Sequence, residues 1–340
     1  MKTTGLHELR KDPLLGRWVA VLNHPMPPAE YRCPAEEPAA ESCELCAGRE
    51  HETPHEIMSV RNTSQAAKSP WWTRVIPNYD PVFTIEGELG RKGDGMYDRM
   101  NSVGANELII ESPFHALRPE DIGLDQMVRV LSTYRDRMVD LERDARLRYI
   151  LIYKNSGRSA GAVFTHPVSY VTATPVIPKR VKEELDGAKQ HFAYKERCIF
   201  CDIIREEMRV SSRVIIESRH FIAFCPYASK FPFESWIVPK RHQCAYPEIR
   251  PDELEDMALI LTSVLKKLRL LFPGLPYNYF IHSAPNRIPR KNHWHTLGED
   301  YHWHLEIMPR LVQTSGFEWG SGLYVLPTSP ESAAKFLREV

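Results

Sequence analysis

Hydrophobic and polar positions along the chain follow strand-like and helix-like patterns, and these patterns occur in the same order in each half of the chain. In the first half, the strand-like ELIIES precedes residues 118–146, where apolar residues recur at helical spacing after acidic residues at the start. A β-rich run, RYILIYKNSG, then leads to GAVFTHP. In the second half, SWIVPK precedes a helical pattern over 250–272, and PYNYFIHS and HWHLEIMP follow. This repeated order predicts two packed α+β units.

Each unit is predicted to be an antiparallel sheet with flanking helices. The first unit is assigned to residues 1–180 and the second to residues 190–340. The hinge is expected near 176–196, because VIPKRVKEELDGAKQ is charged and has a proline near its start. The tail is predicted to form a short strand, a turn and a closing helix capped by Ser329 or Thr328.

Charge and composition narrow the classes of function. The chain has 340 residues, enough for two domains, and its 44 basic residues balance 44 acidic ones. No block of like charges stands out, so no nucleic-acid polymer and no membrane surface is expected as a partner. No apolar run approaches the length of a transmembrane helix, and the start lacks the apolar core of a signal peptide. We therefore expect a cytoplasmic protein.

Four of the seven cysteines fall in two CxxC pairs. Structural zinc is commonly held by such a pair together with two histidines from elsewhere in the fold. The first half offers Cys43, Cys46, His115 and His166, and the second offers Cys198, Cys201, His242 and His302. Two structural Zn²⁺ sites per chain are therefore predicted. The alternative is that the cysteines are small buried apolar residues and the histidines cap strand ends.

A series of segments in this order resembles the galactose-1-phosphate uridylyltransferase family, a two-repeat branch of the histidine-triad superfamily. The segments are CELC, PNYDPV, NSGRSAGAVFTHP, CIFCDI, WIVPKRH, YHWHLEIMPRL and GFEWGSGLYVLP. The ADP-glucose phosphorylase-like branch is the most similar, because of the second CxxC pair and FPFESWIVPKRH. The resemblance implies two tandem histidine-triad-like repeats. It also implies nucleotidyl transfer to or from a sugar phosphate through a nucleotidyl-histidine, as in galactose metabolism.

The first repeat departs from the family pattern at the reactive positions. The family has a small hydroxyl residue, then His-x-His, then glutamine two residues further on. Aligned on His166, these positions carry Val163, Val168 and Tyr170. The metal-binding histidine is kept, whereas the nucleophile and the two phosphate-binding side chains are replaced. Valine has no lone pair and cannot be nucleotidylated.

Three residues of the first repeat stay candidates for substrate binding by resemblance. Asn155 and Gly157 lie in a turn rich in small residues whose backbone is suited to approach a phosphate, and Asn78 matches the asparagine of the family's PNxxP-like segment. Each of the three is equally well explained as a turn residue.

The second repeat keeps His302-x-His304-x-Glu306, with the three side chains on one face of a predicted strand. The preferred interpretation is that His304 is the nucleophile and that Glu306 orients it or accepts its proton. One rival comes from the resemblance: an additional metal held by Glu184, His282 and His304, with Glu306 near. The other rival is a strand whose imidazoles only satisfy local hydrogen bonds.

Two classes of function therefore remain at this point. The first is a nucleotidyltransferase or nucleotide-sugar phosphorylase with a relocated or altered site, or a metal-dependent enzyme of altered chemistry. The second is a catalytically inactive homologue that binds a nucleotide sugar or sugar phosphate. The family's frequent dimerisation makes a homodimer an expectation. His293 and His295 are read as part of a solvated turn, with a loop over a pocket as the alternative.

Overall fold

The computed structural model of the protein describes residues 6–34, 42–62, 69–115, 118–289 and 294–340. The strands in these ranges are β1 (Glu8–Lys11), β2 (Trp18–Val21), β3 (Met58–Arg61), β4 (Trp71–Pro77), β5 (Lys92–Asp94), β6 (Tyr97–Arg99), β7 (Ala105–Ile110), β8 (Tyr149–Ser156), β9 (Val168–Thr174), β10 (Val214–Glu217), β11 (Phe221–Phe224), β12 (Ser235–Pro239), β13 (Tyr277–His282), β14 (His304–Pro309) and β15 (Tyr324–Leu326). The helices are α1 (Leu124–Leu141), α2 (Lys179–Lys195), α3 (Ile199–Val210), α4 (Pro251–Leu271), α5 (Leu297–Asp300), α6 (Gly316–Ser321) and α7 (Pro330–Arg338).

Ten of the strands form one continuous sheet in the order β10-β11-β12-β14-β13-β8-β9-β7-β4-β3. Neighbouring strands pair antiparallel throughout. Five strands come from each half of the chain, and the two halves join at the centre, where Tyr279 of β13 lies opposite Lys154 of β8. The predicted α+β class with antiparallel sheets and flanking helices is confirmed.

The main core lies between the sheet and the two long helices α1 and α4. Both helices were predicted from apolar spacing, and they begin and end within the predicted stretches. Their buried apolar side chains contact residues from both halves of the sheet in one cluster. The core-facing apolar positions of the two helices are Met127, Val130, Leu131, Tyr134, Met138, Leu141, Leu254, Met257, Ala258, Ile260, Leu261, Val264, Leu265 and Leu268. The two repeats therefore share a core, and their boundaries at 180 and 190 stay predictions.

The segment predicted to be a hinge is an ordered helix, α2. Val181, Leu185 and Ala188 are buried on one of its faces, at helical spacing. A Cβ at Gly187 would lie 2.0 Å from the Leu14 carbonyl oxygen, so only glycine allows this close approach to the N-terminal segment. This helix carries the buried Glu184 to the sheet.

The tail forms a strand and a closing helix, as the sequence predicts. Ser329, rather than Thr328, caps α7: its Oγ accepts a hydrogen bond from the backbone N–H of Ser332 at 3.2 Å. The strand β15 pairs with β2, so the tail and the N-terminal strands form a separate three-stranded sheet. The short helix α6 was not predicted. Within the described ranges, no helix has both the length and the apolar character needed to cross a bilayer.

Candidate functional site

The first Cys/His set comes together on one side of the first half of the sheet. Cys43 and Cys46 lie in a turn, His115 follows β7 and His166 precedes β9; their ligand atoms all lie within 4.8 Å of one another. The Cys43 Sγ to His166 Nδ1 distance is 3.6 Å, and the Cys46 Sγ to His115 Nδ1 distance is 3.8 Å. Tetrahedral zinc has sulfur–nitrogen edges of about 3.6 Å. The group therefore has the dimensions of a four-ligand metal site.

Hydrogen bonds on the far side of each ring orient these two imidazoles. His166 Nε2 donates to the carbonyl oxygen of Ser112 at 2.8 Å, and His115 Nε2 lies 3.0 Å from Thr165 Oγ1. His166 Nδ1 then faces the sulfur atoms with its lone pair, and His115 Nδ1 does the same when its Nε2 donates to Thr165, as in metal sites with an oriented outer shell. Burial lowers the pKa of His166 to about 4, so this ring is neutral, which is the ligand form.

The second Cys/His set is built in the same way. Cys198 directly precedes α3, Cys201 lies in its first turn, His242 follows β12 and His302 precedes β14. The four ligand atoms lie within 4.8 Å of one another. The Cys201 Sγ atom is 3.4 Å from His242 Nδ1 and 3.7 Å from His302 Nδ1. The structure thus brings together both sets that the sequence predicts.

The side chains of the two cysteines in the second set interact, and this interaction shifts their pKa values in opposite directions. The Cys198 side chain hydrogen-bonds to Cys201 and lowers the pKa of Cys201 to about 3, while the same bond raises the pKa of Cys198. A sulfur held as thiolate beside two imidazoles is a donor set that a zinc ion fits. His302 Nε2 donates to the Pro239 carbonyl oxygen at 2.9 Å, which directs its Nδ1 at this sulfur.

A third group of ligand atoms lies behind the second set. Glu184 of α2, His282 of β13, and His304 and Glu306 of β14 are all buried, and their ligand atoms lie within 4.8 Å of one another. His282 Nδ1 is 2.7 Å from Glu184 Oε2. His304 Nε2 is 3.4 Å from Glu306 Oε1 and 4.0 Å from Glu184 Oε2. This is the additional group that the family resemblance implied.

Two atoms of the third group have no hydrogen-bond partner although they are buried: His304 Nε2 and Glu306 Oε2. Burial would raise the pKa of Glu306, but the neighbouring His304 and His282 imidazoles hold it below its usual range. Burial likewise would lower the pKa of His304, and the two carboxylates raise it instead. Burying these two atoms without a partner is costly, and a metal ion bound by the group would give each of them a partner.

His304 is not accessible to a substrate in this arrangement. Its side chain has no exposed surface, and its ring lies 4.9 Å from the rings of both Trp236 and Phe200. Its Nδ1 donates to the His302 carbonyl oxygen at 3.2 Å, so only Nε2 is left, and Nε2 faces the carboxylates. The geometry therefore favours the ligand role for His304 over the nucleophile role, and Glu306 is placed as a co-ligand.

The position of the missing nucleophile, Val168, is buried in an apolar cluster. Val168 and Tyr170 point to the same face of β9, and both pack with apolar residues of β4, β7 and the first CxxC turn. Tyr170 stacks on Tyr153 of β8 with ring centroids 5.0 Å apart and an angle of 11°. The replacements of the family's histidine and glutamine thus pack this face of the sheet with apolar and aromatic side chains.

A large cavity of about 960 Å³ lies where the two halves of the sheet meet, and Val168 and Tyr170 are not part of its lining. The turn from Asn155 to Pro167 forms one wall, and the end of α4 with residues 274–277 and 310–314 forms the other. The described lining contains five arginines and one lysine against one glutamate. These charged residues are Arg32, Arg118, Arg158, Arg269, Arg310, Lys154 and Glu120. The cavity is therefore suited to a ligand with several negative charges.

Of the three residues predicted to bind substrate, two line this cavity and one does not. Asn155 and Gly157 line it, and the Asn155 side chain donates to the Gly161 carbonyl oxygen and accepts from Asn278 at 2.8 Å. Asn78 does not belong to the lining; its amide donates to Asn106 Oδ1 at 2.9 Å, between β4 and β7. The binding role of Asn155 and Gly157 stays a prediction, and Asn78 lies away from this lining. His293 lies outside the described residues, and His295 is exposed.

The sequence did not predict the cationic lining. Its arginines are dispersed from position 32 to position 310 in a chain of zero formal charge, so no local charge run signals them. Lys154 was missed as well. Its Nζ lies 2.6 Å from Glu111 Oε2 and donates to the Val168 carbonyl oxygen at 2.9 Å, which links the cavity floor to the start of β9.

Comparison with known proteins agrees with this architecture. The family described as galactose-1-phosphate uridyl transferase, C-terminal domain, matches residues 184–320. An ADP-glucose phosphorylase of Arabidopsis thaliana is 33% identical over 98% of this chain and 93% of its own length. A galactose-1-phosphate uridylyltransferase of Thermotoga maritima is 27% identical over 98% of both chains.

Solved structures give the same result for the fold. The crystal structure of an ADP-glucose phosphorylase from Arabidopsis thaliana with bound ADP-glucose superposes with a TM-score of 0.82 at 33% identity, covering 99% of both chains. A uridylyltransferase structure superposes with a TM-score of 0.73 at 26% identity, covering 98% of both chains. The similarity thus extends over both halves of the molecule.

Proposed function

Since the chain belongs to the galactose-1-phosphate uridylyltransferase family, we propose that it is a nucleotidyltransferase of the hexose-1-phosphate type. It would move a nucleotidyl group between a nucleotide sugar and a phosphate or sugar-phosphate acceptor. The observation that carries the proposal is the cationic cavity at the junction of the two repeats, beside Asn155 and Gly157. A nucleotide sugar is the ligand class, as in the relative whose structure holds ADP-glucose.

The lining is suited to this class of ligand in shape as well as in charge. The backbone of the turn at Gly157 has φ 80°, and the Ala160 N–H closes the turn onto the Gly157 carbonyl oxygen at 3.0 Å. Arg310 Nε donates to Asn278 Oδ1 at 2.7 Å, and Asn278 in turn donates to Asn155. This chain of bonds holds one arginine of the second repeat beside the turn of the first, where a phosphate could bridge them.

We further propose zinc in both Cys/His groups and a divalent metal in the group of Glu184, His282, His304 and Glu306. A closed shell of four protein ligands supplies folding energy rather than chemistry. Two carboxylates with two imidazoles suit iron, manganese or zinc. His115 and His166 of the first group also line the cavity, so metal bound there would fix one of its walls.

A second candidate function is binding without turnover, and Val168 favours it. A chain that has lost the imidazole at this position still has the cavity, the turn and the metal groups. It would hold a nucleotide sugar or sugar phosphate and release it unchanged.

An assay of the metal-replete full-length protein separates the two functions. ADP-glucose and UDP-glucose are each incubated with inorganic phosphate and with a hexose 1-phosphate, and nucleotides are resolved by anion-exchange chromatography. We expect product from at least one pair, and a several-fold higher KM in Arg310→Gln, with no change in the surface variant Arg209→Gln. Binding by calorimetry without product from any pair would replace the first function with the second. Neither binding nor product would exclude both.

A further inference from the structure

The turn that forms one wall of the cavity begins where the pairing of β8 with β9 ends. Within the described residues, the last backbone pair of these two strands is Tyr153 opposite Tyr170. In the second half of the sheet, the pairing of β13 with β14 continues for two more positions, to His282 opposite His304. The backbone pairing of β8 with β9 therefore stops before Val168, the residue that follows the turn.

The Lys154 side chain joins the two ends of this turn instead. Its Nζ donates to the Val168 carbonyl oxygen at 2.9 Å, so a single bond links the residue before the turn to the residue after it. At the corresponding position of the second half, opposite Leu305, the chain has the buried apolar Ile281. The lysine thus occurs in the half where the strand pairing stops, and an apolar residue occurs in the half where it continues.

A buried carboxylate holds the Lys154 ammonium in this place. Glu111 is completely buried, and its Oε2 lies 2.6 Å from Lys154 Nζ. Its Oε1 accepts hydrogen bonds from the Tyr134 hydroxyl at 2.8 Å and from the Ser169 hydroxyl. Tyr134 belongs to α1, and its hydroxyl also lies 2.8 Å from the Tyr279 hydroxyl of β13. The position of the carboxylate is therefore fixed from α1 and from both halves of the sheet.

The pair of Glu111 and Lys154 is directed at the protein and is not available to a ligand. Lys154 is 3% exposed, and two of its three donors are used. Replacing a buried ion pair by apolar residues of similar size is often neutral for stability. An apolar pair could not supply the bond to the Val168 carbonyl oxygen. The pair therefore acts on a ligand only through the turn that it closes.

The closed turn carries residues predicted to bind substrate and one ligand of the first Cys/His group. Asn155 and Gly157 lie at its start, and His166 lies near its end. The stretch after β7 holds the same end, because the Glu111 N–H donates to the Pro167 carbonyl oxygen at 3.0 Å. Breaking the lysine bond would therefore release the start of the turn from an end that stays held by β7.

We propose, on the basis of the function proposed above, that Lys154 and Glu111 are positioning residues for the nucleotide sugar. They hold the turn in one conformation before the ligand arrives, so that Asn155 and Gly157 are already placed for its phosphates. A preordered turn loses less conformational entropy on binding. A turn that is in the competent conformation in only about a tenth of the molecules would bind the ligand about 10-fold more weakly.

A double variant tests the proposal, because Lys154→Met alone would leave the Glu111 charge buried and unpaired. The variant Lys154→Met/Glu111→Gln removes both charges and the bond to Val168. The matched control is Arg137→Met/Glu107→Gln. This second pair is similarly buried, with an N–O distance of 2.7 Å, and lies outside the cavity lining.

Two measurements are made on the metal-replete full-length proteins. Hydrogen exchange without ligand follows the amides of Ala160, Gly161 and Ala162, which are hydrogen-bonded within the turn. Calorimetry measures the affinity for ADP-glucose and for UDP-glucose. In the Lys154/Glu111 variant we expect exchange about 10-fold faster and affinity for the nucleotide sugar about 10-fold weaker. Both quantities should be unchanged in the control.

Wild-type affinity in the Lys154/Glu111 variant would overturn the inference and leave the proposed function intact, whether or not the exchange is faster. Equal changes in the two double variants would overturn it as well, because the effect would then not depend on the turn. A Lys154/Glu111 variant that no longer folds would assign the pair to stability and overturn its positioning role. A wild-type protein that binds neither nucleotide sugar would remove the proposed function itself, and the inference with it.

Discussion

Val168 and His304 occupy the same place in the two halves of the sheet. Each is the first residue of its strand, each follows a histidine of a Cys/His group by two residues, and each strand is the fourth from its end of the ten-strand order. In one half the place holds an aliphatic side chain in an apolar cluster, and in the other an imidazole among carboxylates. The ligand histidine is present in both halves, whereas the position two residues later carries an aliphatic side chain in one half and an enclosed imidazole in the other.

Replacing Val168 by histidine tests the packing around this side chain. We expect Val168→His to lower the free energy of unfolding by about 1–3 kcal/mol, because a polar ring enters an apolar cluster. Urea denaturation measures the loss. Val168→Leu is the matched control for volume, and it should lose less. Equal stability of the histidine and leucine variants would mean that the side chain reaches solvent, contrary to its burial here.

The Cys/His groups predict metal-dependent stability. Cys43→Ser and Cys198→Ser should each remove about one zinc ion per chain and cost on the order of 3 kcal/mol, which lowers Tm by roughly 5 °C or more. Elemental analysis and calorimetry measure the two effects. Cys33→Ser is the control, since this thiol lies outside every candidate group. Unchanged metal content and Tm in both variants would contradict the assignment.

The third group predicts a separate metal. His282→Ala should lower the metal content by about one further ion per chain without affecting the zinc of the two Cys/His groups, because it removes one of four ligands and the partner of Glu184. The exposed His55→Ala serves as control. A wild-type protein that binds only two metal ions per chain after reconstitution with iron, manganese or zinc would count against this site.

The sequence predicted the features that depend on local or repeated signals, and it did not predict those that depend on contacts between distant elements. Apolar spacing predicted α1 and α4, and the paired order of cysteines and histidines predicted both Cys/His groups, because these signals are local or repeated. The enclosure of His304 could not be predicted, since it depends on Trp236 and Phe200, which come from other elements. The cationic cavity was missed for the same reason. The hinge was predicted from proline and charge, but the buried face of α2 makes it a helix.

The contact between the N-terminal strands and the tail predicts a dependence of stability on pH. Glu331 lies 2.9 Å from both Arg10 and Arg213. Burial alone would raise the pKa of Glu331, but the bonds to these two arginines lower it below its ordinary value of 4.5. A lowered folded-state pKa means that the stabilisation is complete above pH 4.5 and is lost as the pH falls through the folded value.

Glu331→Gln should therefore lower the free energy of unfolding by about 1–2 kcal/mol at pH 7, and the difference from wild type should shrink as the pH falls below about 4.5. Denaturation at a series of pH values measures it. Glu339→Gln is the control, because Glu339 is 57% exposed and lies 3.9 Å from its partner Lys335. A difference that stays constant from pH 7 to pH 3 would contradict this role of the carboxylate.

Rapid acid quench of the protein with a nucleotide sugar labelled at the α-phosphorus, with and without acceptor, tests the central claim most directly. The account predicts labelled nucleotide product when acceptor is present, because the cationic cavity beside Asn155 and Gly157 would hold the nucleotide sugar. Absence of labelled product with every acceptor, from metal-replete protein that still binds the nucleotide sugar, would contradict it.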